Sequence, residues 1–277
     1  MDVLKRNVDI VIKDILGISP GTTAVIGSGG KTSLIRRLAG EICPEAKVII
    51  CTTTHIMRPE DIPVFEAGTK VFQGLAEDIS QKHHSGKNEE PSTIVENLSS
   101  FISHNSGKSV CAGVTDPDNS EKLVSFPIEV IKQAAGQNAY ILVEADGSKH
   151  MPLKAHNDRE PVIPAGCDRV ILVVGAEGIG KTITEAAHRP ELFAALAEAD
   201  VNEIVTPQML AKVLAAERRK FGNCRLQVVV NRMDIRDHDL KCENDIAAAK
   251  KIAELTGWEV YAGCVKSGIF KIGNGEN

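Results

Sequence analysis

The chain has 277 residues, 43% of them hydrophobic and 25% charged, with a formal net charge of -5 from 32 basic and 37 acidic side chains. That composition excludes wholesale disorder, and an acidic balance with no long basic run argues against binding nucleic acid or an anionic membrane surface. Aromatic residues make up only 4%, so the core must be aliphatic, as suits parallel strands buried under helices.

No apolar run approaches the roughly 18 residues that a membrane-spanning helix requires. The first sixteen residues, MDVLKRNVDIVIKDIL, place charges where a secretory segment would be unbroken. The seven cysteines (Cys43, Cys51, Cys111, Cys167, Cys224, Cys242 and Cys264) are scattered and form no C-x-x-C pair, which argues against zinc ribbons and disulfide frameworks. The expectation is a cytoplasmic protein with one domain spanning residues 1–277.

Short β-branched runs predict strands at 22–26, 47–51, 109–114, 140–144, 169–174, 226–231 and 259–265. After Thr32, the spacing of Leu34, Ile35, Leu38 and Ile42 marks one apolar helical face. A second helix opens with Thr206 as N-cap and Pro207 at its first position and runs to about Lys220. A third spans about 239–256 and stops at Gly257. Strands alternating with helices predict an α/β layer fold with a mostly parallel sheet. Residues 83–92 (HHSGKNEEPS) predict a flexible loop, and the long irregular stretch 146–167 predicts a functional one.

The first strand runs into Gly27-Ser28-Gly29-Gly30-Lys31-Thr32-Ser33 and then a helix. Glycines at such a turn let backbone N–H groups converge on an oxyanion. Lys31 adds a point charge, the helix adds its dipole, and Thr32 or Ser33 offers a hydroxyl to Mg²⁺. Val25 stands where the longer G-x-x-x-x-G-K-[ST] pattern has its first glycine, and the shorter form resembles the loop of Mur-type ATP-dependent ligases. The bland alternative is a glycine-rich turn with no ligand. Residues 175–182 (GAEGIGKT) match the longer pattern letter for letter, but Pro190 interrupts the following segment too soon for a working helix. That segment is expected to be a loop leaving a strand edge.

The apolar run ending in Glu144-Ala145-Asp146 has the form of a Walker-B-like strand, whose acids would hold Mg²⁺ with Thr32. Another strand ends in Asn231-Arg232-Met233-Asp234, which resembles the guanine-reading Asn-Lys-x-Asp of GTPases. There the Asp would accept from the base while the Asn buttresses a neighbouring loop, with the Lys266 region completing a base pocket. The alternative is a polar strand exit. Thr52, Thr53, Thr54, His55 and Arg58 follow the second strand, Lys149, Lys154 and His156 lie in the long loop, and His188 and Arg189 follow the second glycine-rich segment. All these clusters follow predicted strand ends and together could bind an anionic second substrate. A zinc site from His55, His156 and His188 has no local ligand spacing behind it.

GSGGKTS, TTTHI, VEADGSK with PLKAH, GKT with HRPE, and NRMD occur in that order from about Gly21 to Asp234. This order is similar to that of the selenium-dependent molybdenum hydroxylase accessory proteins of YqeC type, the VEADG…PLKAH block being its most specific part. Thr182 falls where that family commonly has proline, and Arg232 where it commonly has lysine. The resemblance implies a three-layer P-loop NTPase-like α/β fold with a mostly parallel central sheet flanked by helices. It implies a P-loop protein that helps mature selenium-dependent molybdenum hydroxylases, and together with the motifs above the leading reading is a Mg²⁺-dependent protein that binds ATP or GTP and acts as an NTPase. In that reading Gly27, Ser28, Gly29, Gly30, Lys31, Thr32, Ser33, Asn231 and Asp234 hold the nucleotide. Thr32, Asp146 and Glu144 hold the metal, Lys31, Asp146, Glu144 and His55 serve catalysis, and an apo-hydroxylase or its cofactor is the partner. Two other readings compete: a nucleotide-gated chaperone with little turnover, and a Mur-like ligase.

Overall fold

A computed structural model describes residues 11–67, 91–233 and 240–272 of the chain. Its centre is a large, mostly parallel sheet. The strands are β1 (Gly21–Gly27), β2 (Val48–Thr52), β3 (His55–Met57), β4 (Val64–Ala67), β5 (Val110–Asp116), β6 (Asn119–Val124), β7 (Tyr140–Glu144), β8 (Leu153–Lys154), β9 (Arg169–Gly175), β10 (Ala187–His188), β11 (Arg225–Asn231), β12 (Glu259–Cys264) and β13 (Gly268–Ile272). Eleven form one sheet in the order β13-β12-β11-β9-β1-β7-β2-β5-β6-β3, with β4 also paired to β5. The strands from β12 to β5 run parallel, and antiparallel pairings occur only toward the two edges, β12 with β13, and β5 with β6 with β3. All seven predicted strands are present, within two residues of the expected ends.

Strand alternation divides the core in two. Ala24, Ile26, Ile141, Val143, Leu172 and Val228 face one side, covered by helices Pro91–His104, Ile128–Ala135, Pro190–Ala197, Pro207–Glu217 and Leu240–Thr256. Val25, Leu142, Ile171, Val173 and Val229 face the other, covered by helices Ile12–Ile15 and Lys31–Ile42. Helices on both faces of parallel strands explain why those strands are continuous apolar runs.

The helix after Thr32 buries Leu34, Ile35, Leu38 and Ile42, the face its spacing predicts. Thr206 caps the next predicted helix by accepting from Met209 N, with Pro207 in the first turn. That helix ends at Glu217 and continues as a tight turn, Arg218–Phe221, rather than running as α-helix to Lys220. Most of the predicted loop at 83–92 lies outside the described residues, and Pro91 and Ser92 already belong to a helix. No helix among the described residues is long and apolar enough to cross a membrane. Cys43, Cys51, Cys111, Cys167, Cys224 and Cys264 are free thiols.

Leu38 is fully buried at the centre of the smaller face. Replacing it with alanine is expected to lower unfolding free energy by about 2–5 kcal/mol. Urea titration should show a lower midpoint with an unchanged slope.

Candidate functional site

Strands β9, β1 and β7 lie side by side, so their carboxyl ends deliver three loops to one crevice. The first is the glycine loop between β1 and the helix Lys31–Ile42. Gly27, Gly29 and Gly30 have φ of +90°, +87° and +125°, a region L side chains avoid. Space is equally restrictive. A Cβ on Gly27 would lie 2.3 Å from Val173 O, one on Gly29 2.4 Å from Gly175 N, and one on Gly30 2.4 Å from Asn231 Nδ2. Gly30 is the N-cap and supplies no side-chain cap, and the first turn holds no acid. The leading N–H groups of a helix have no acceptor within it, so this end carries an unneutralised positive dipole.

Lys31 is 3% exposed. Its Nζ donates to Gly27 O at 2.9 Å and Ser148 Oγ at 3.2 Å, and lies 3.0 Å from Asp146 Oδ1 and 3.7 Å from Glu144 Oε1. The lysine therefore gathers both acids at the end of β7. The two carboxylates nevertheless differ. Asp146 has no exposure; its Oδ2 accepts from Gly27 N at 2.8 Å and His156 Nε2 at 2.7 Å and lies 3.2 Å from Lys154 Nζ. Burial alone would raise its pKa, but Lys31, His156 and Lys154 outweigh burial and hold it well below the usual carboxylate range. Glu144 Oε2 accepts from Thr32 Oγ1 at 3.0 Å, and burial raises its pKa against the opposing pull of Lys31. Asp146 Oδ2 is held by Gly27 N and His156, while Oδ1 faces Lys31 at 3.0 Å with no hydrogen-bond partner, and Glu144 Oε2 is held by Thr32.

The long loop 146–167 crosses the crevice and is fixed to the far side of the protein. His156 is 1% exposed, with Nε2 donating to Asp146 and Nδ1 donating to Glu217 Oε2 at 2.8 Å. Burial lowers the imidazole pKa, but the two carboxylates more than reverse that and raise it. Lys154 is 4% exposed and pairs with Glu160 at 2.7 Å as well as with Asp146. The parallel ribbon of β8 and β10 sets Lys154 beside His188, and Arg189 reaches Glu160 at 2.9 Å. Among the described residues no group of three His, Cys, Asp or Glu side chains is arranged to hold a metal, and both nitrogens of His156 are taken by acids. The zinc possibility drops out on those grounds.

Asn231 Nδ2 donates to Gly29 O at 2.7 Å, and its Oδ1 accepts from Val265 N at 2.9 Å. It thus holds the glycine loop from the β11 side. Arg232, at φ +64°, turns outward to pair with Glu177. Asp234 lies outside the described residues. A cleft of about 470 Å³ next to Asn231 is lined by Ser33, Cys264, Val265, Lys266 and Ser267 among others. The second glycine-rich segment opens only a four-residue helix, Ile183–Ala186, capped by Thr182, and Lys181 is exposed. Its first glycine, Gly175, is nonetheless pressed against Gly29.

His55 is not brought to Lys31. It lies on the edge strand β3, with its side chain 61% exposed and 3.6 Å from Asp116. Arg58 is equally remote, paired with Glu66 and Thr115. Of the threonines, Thr52 donates to Glu144 O and Thr53 to Val162 O, both at 2.7 Å, so they fasten the long loop. Sequence pattern does not single out Ser148 or Glu217. Glu217 carries a legible signal, being seven residues after Leu210 on the stripe formed with Val213 and Leu214, where an acid is out of place unless paired.

The family model described as YqeC protein matches residues 23–191. The curated "Uncharacterized protein YqeC" of Escherichia coli (strain K12) is 31% identical over 253 residues, which cover 88% of this chain and 86% of that protein. No solved structure matches the chain.

A histidine whose pKa rises on folding contributes stability that is fully present below its unfolded value, about 6.5, and is lost as pH climbs through the folded value. The difference in unfolding free energy between wild type and His156→Gln should therefore be largest in mild acid and shrink toward alkaline pH. A difference independent of pH would mean that the charge on His156 contributes nothing.

Proposed function

The chain belongs to the YqeC family, and we propose that it is a Mg²⁺-dependent nucleoside triphosphate-binding protein whose P-loop is Gly27–Ser33. The observation that carries this reading is the glycine loop. Three left-handed glycines with no room for a side chain open an uncapped twelve-residue helix beside a buried lysine. Such a turn presents backbone donors, a dipole and a cation to one point.

In this reading Lys31 leaves its intramolecular acceptors to pair with the terminal phosphates. Its ties to Gly27 O and Ser148 keep the cation at the site beforehand, so little side-chain ordering remains on binding. Thr32 and Glu144 are the residues that would hold Mg²⁺, an oxygen-seeking ion, and the ion would neutralise charge developing between the terminal phosphates. Asp146 serves as the fixed countercharge that keeps Lys31 and the Gly27 amide in place. Asn231 sets the loop height, and the cleft lined by Ser33 and Lys266 lies where the nucleoside of ATP or GTP would extend. The motif order resembles that of the selenium-dependent molybdenum hydroxylase accessory proteins, and in this reading the nucleotide chemistry serves maturation of such a hydroxylase, with the apo-hydroxylase as partner. The protein is then a nucleoside triphosphatase by class.

Thermal unfolding with ATP or GTP and Mg²⁺ tests the reading. A nucleotide at a hundredfold excess over its dissociation constant should add about 2.7 kcal/mol of stability. Lys31→Ala should reduce affinity by about 10- to 100-fold, the worth of a hydrogen bond to a charged group, while Lys181→Ala leaves it unchanged. Glu144→Gln should raise the Mg²⁺ concentration needed, more than any conservative change at an exposed acid. Absence of stabilisation by both nucleotides, or equal losses at Lys31 and Lys181, would refute the assignment.

A further inference from the structure

Next to the glycine loop lies a second cavity, of about 830 Å³, whose lining includes Ser148, Lys149, Met151, Glu160, His188 and Arg189. It shares two walls with the Lys31 site: Ser148 accepts from Lys31 Nζ, and Met151 O accepts from Ser28 Oγ. We propose that this cavity is the binding site of a small oxyanion substrate, a compact carboxylic or phosphorylated acid held by Lys149, Arg189 and His188 beside the glycine loop.

Three features of the lining support a ligand rather than an incidental hollow. The first is charge. Lys149 is exposed and has no ion pair among the described residues, and of the lining side chains Lys149 and Arg189 face a single acid, Glu160. The wall therefore carries an excess of positive charge. The second is an unused polar atom. His188 Nδ1 is buried and has no hydrogen-bond partner, a costly state unless a bound group completes it. Burial, Arg189 and Lys154 lower the His188 pKa. The third is backbone conformation. Lys149, His150 and Arg189 all sit at positive φ, +46°, +62° and +67°, where a residue with a Cβ is strained and persists only when its surroundings enforce it. The enforcement is visible: β8 and β10 pair, Ala155 N donates to His188 O at 3.2 Å, and Arg189 Nη1 donates to Ala155 O at 3.1 Å.

The binding claim stands on this cavity alone. Only the further role, as the second substrate of a reaction at the nucleotide, rests on the function proposed above. Calorimetric titration of the full chain with inorganic phosphate and, separately, with malonate tests it, alongside Mg²⁺–ATP and Mg²⁺–GTP. At least one oxyanion should bind saturably, and Lys149→Ala or His188→Gln should weaken it by about tenfold, equivalent to 1.4 kcal/mol. Phosphate alone would mark a phosphorylated substrate and malonate alone a carboxylic one. Lys149 is exposed, so its variant reports on binding even if His188→Gln disturbs folding. Failure of both probes to bind, or binding unaffected by both cavity substitutions, would overturn the proposal. Oxyanion binding without nucleotide binding would instead refute the nucleotide reading and leave this site standing.

Discussion

A carboxylate with no access to water persists only when surrounding charges and donors replace its hydration, and Asp146 is such a group. Its four partners come from two stretches of chain: Gly27 and Lys31 from the glycine loop, and Lys154 and His156 from the long loop that follows Asp146 itself, with His156 anchored in turn by Glu217 on a helix far along the sequence. Removing any one partner would leave the remaining charges uncompensated in a dry interior. The arrangement of glycine loop, acidic strand and crossing loop is therefore one electrostatic unit rather than three adjacent features.

That unit divides labour between two acids two residues apart. Asp146 is spent on structure: its charge is what keeps a lysine almost wholly buried at the helix start. Glu144 is held more loosely, by a threonine hydroxyl and a lysine at 3.7 Å, and its raised pKa reflects weaker compensation. The same contrast separates the histidines. His156 is locked between carboxylates, whereas His188 lines a cavity with an atom left over.

The sequence made the parallel sheet legible because buried strands in such a sheet are unbroken apolar runs, and every run of that kind became a strand. The strands it hid are short, polar or at the edge. β3 and β6 alternate too briefly to register, and β8 and β10 are two residues each, defined only by pairing to one another. The glycine loop was legible because glycine spacing encodes its geometry directly. The structural commitment of Asp146 was not, since it depends on His156 and Lys154 folding back across ten and eight residues of irregular chain. TTTHI directly follows a strand end, and the chain there turns at once into the edge strand β3, where the imidazole stands beside Asp116.

The contact between Gly29 and the amide of Gly175 fixes how this loop can change over time. On one side the turn rests on backbone, at Val173, Pro152 and Gly175, and on the next it meets Asn231. Backbone cannot be trimmed by substitution as a side chain can. An insertion lengthening the turn toward the eight-residue pattern would have to bulge away from β9, into the space above the helix N-terminus. Lineages carrying this packing are thus confined to the short turn unless β9 and its following loop change in concert.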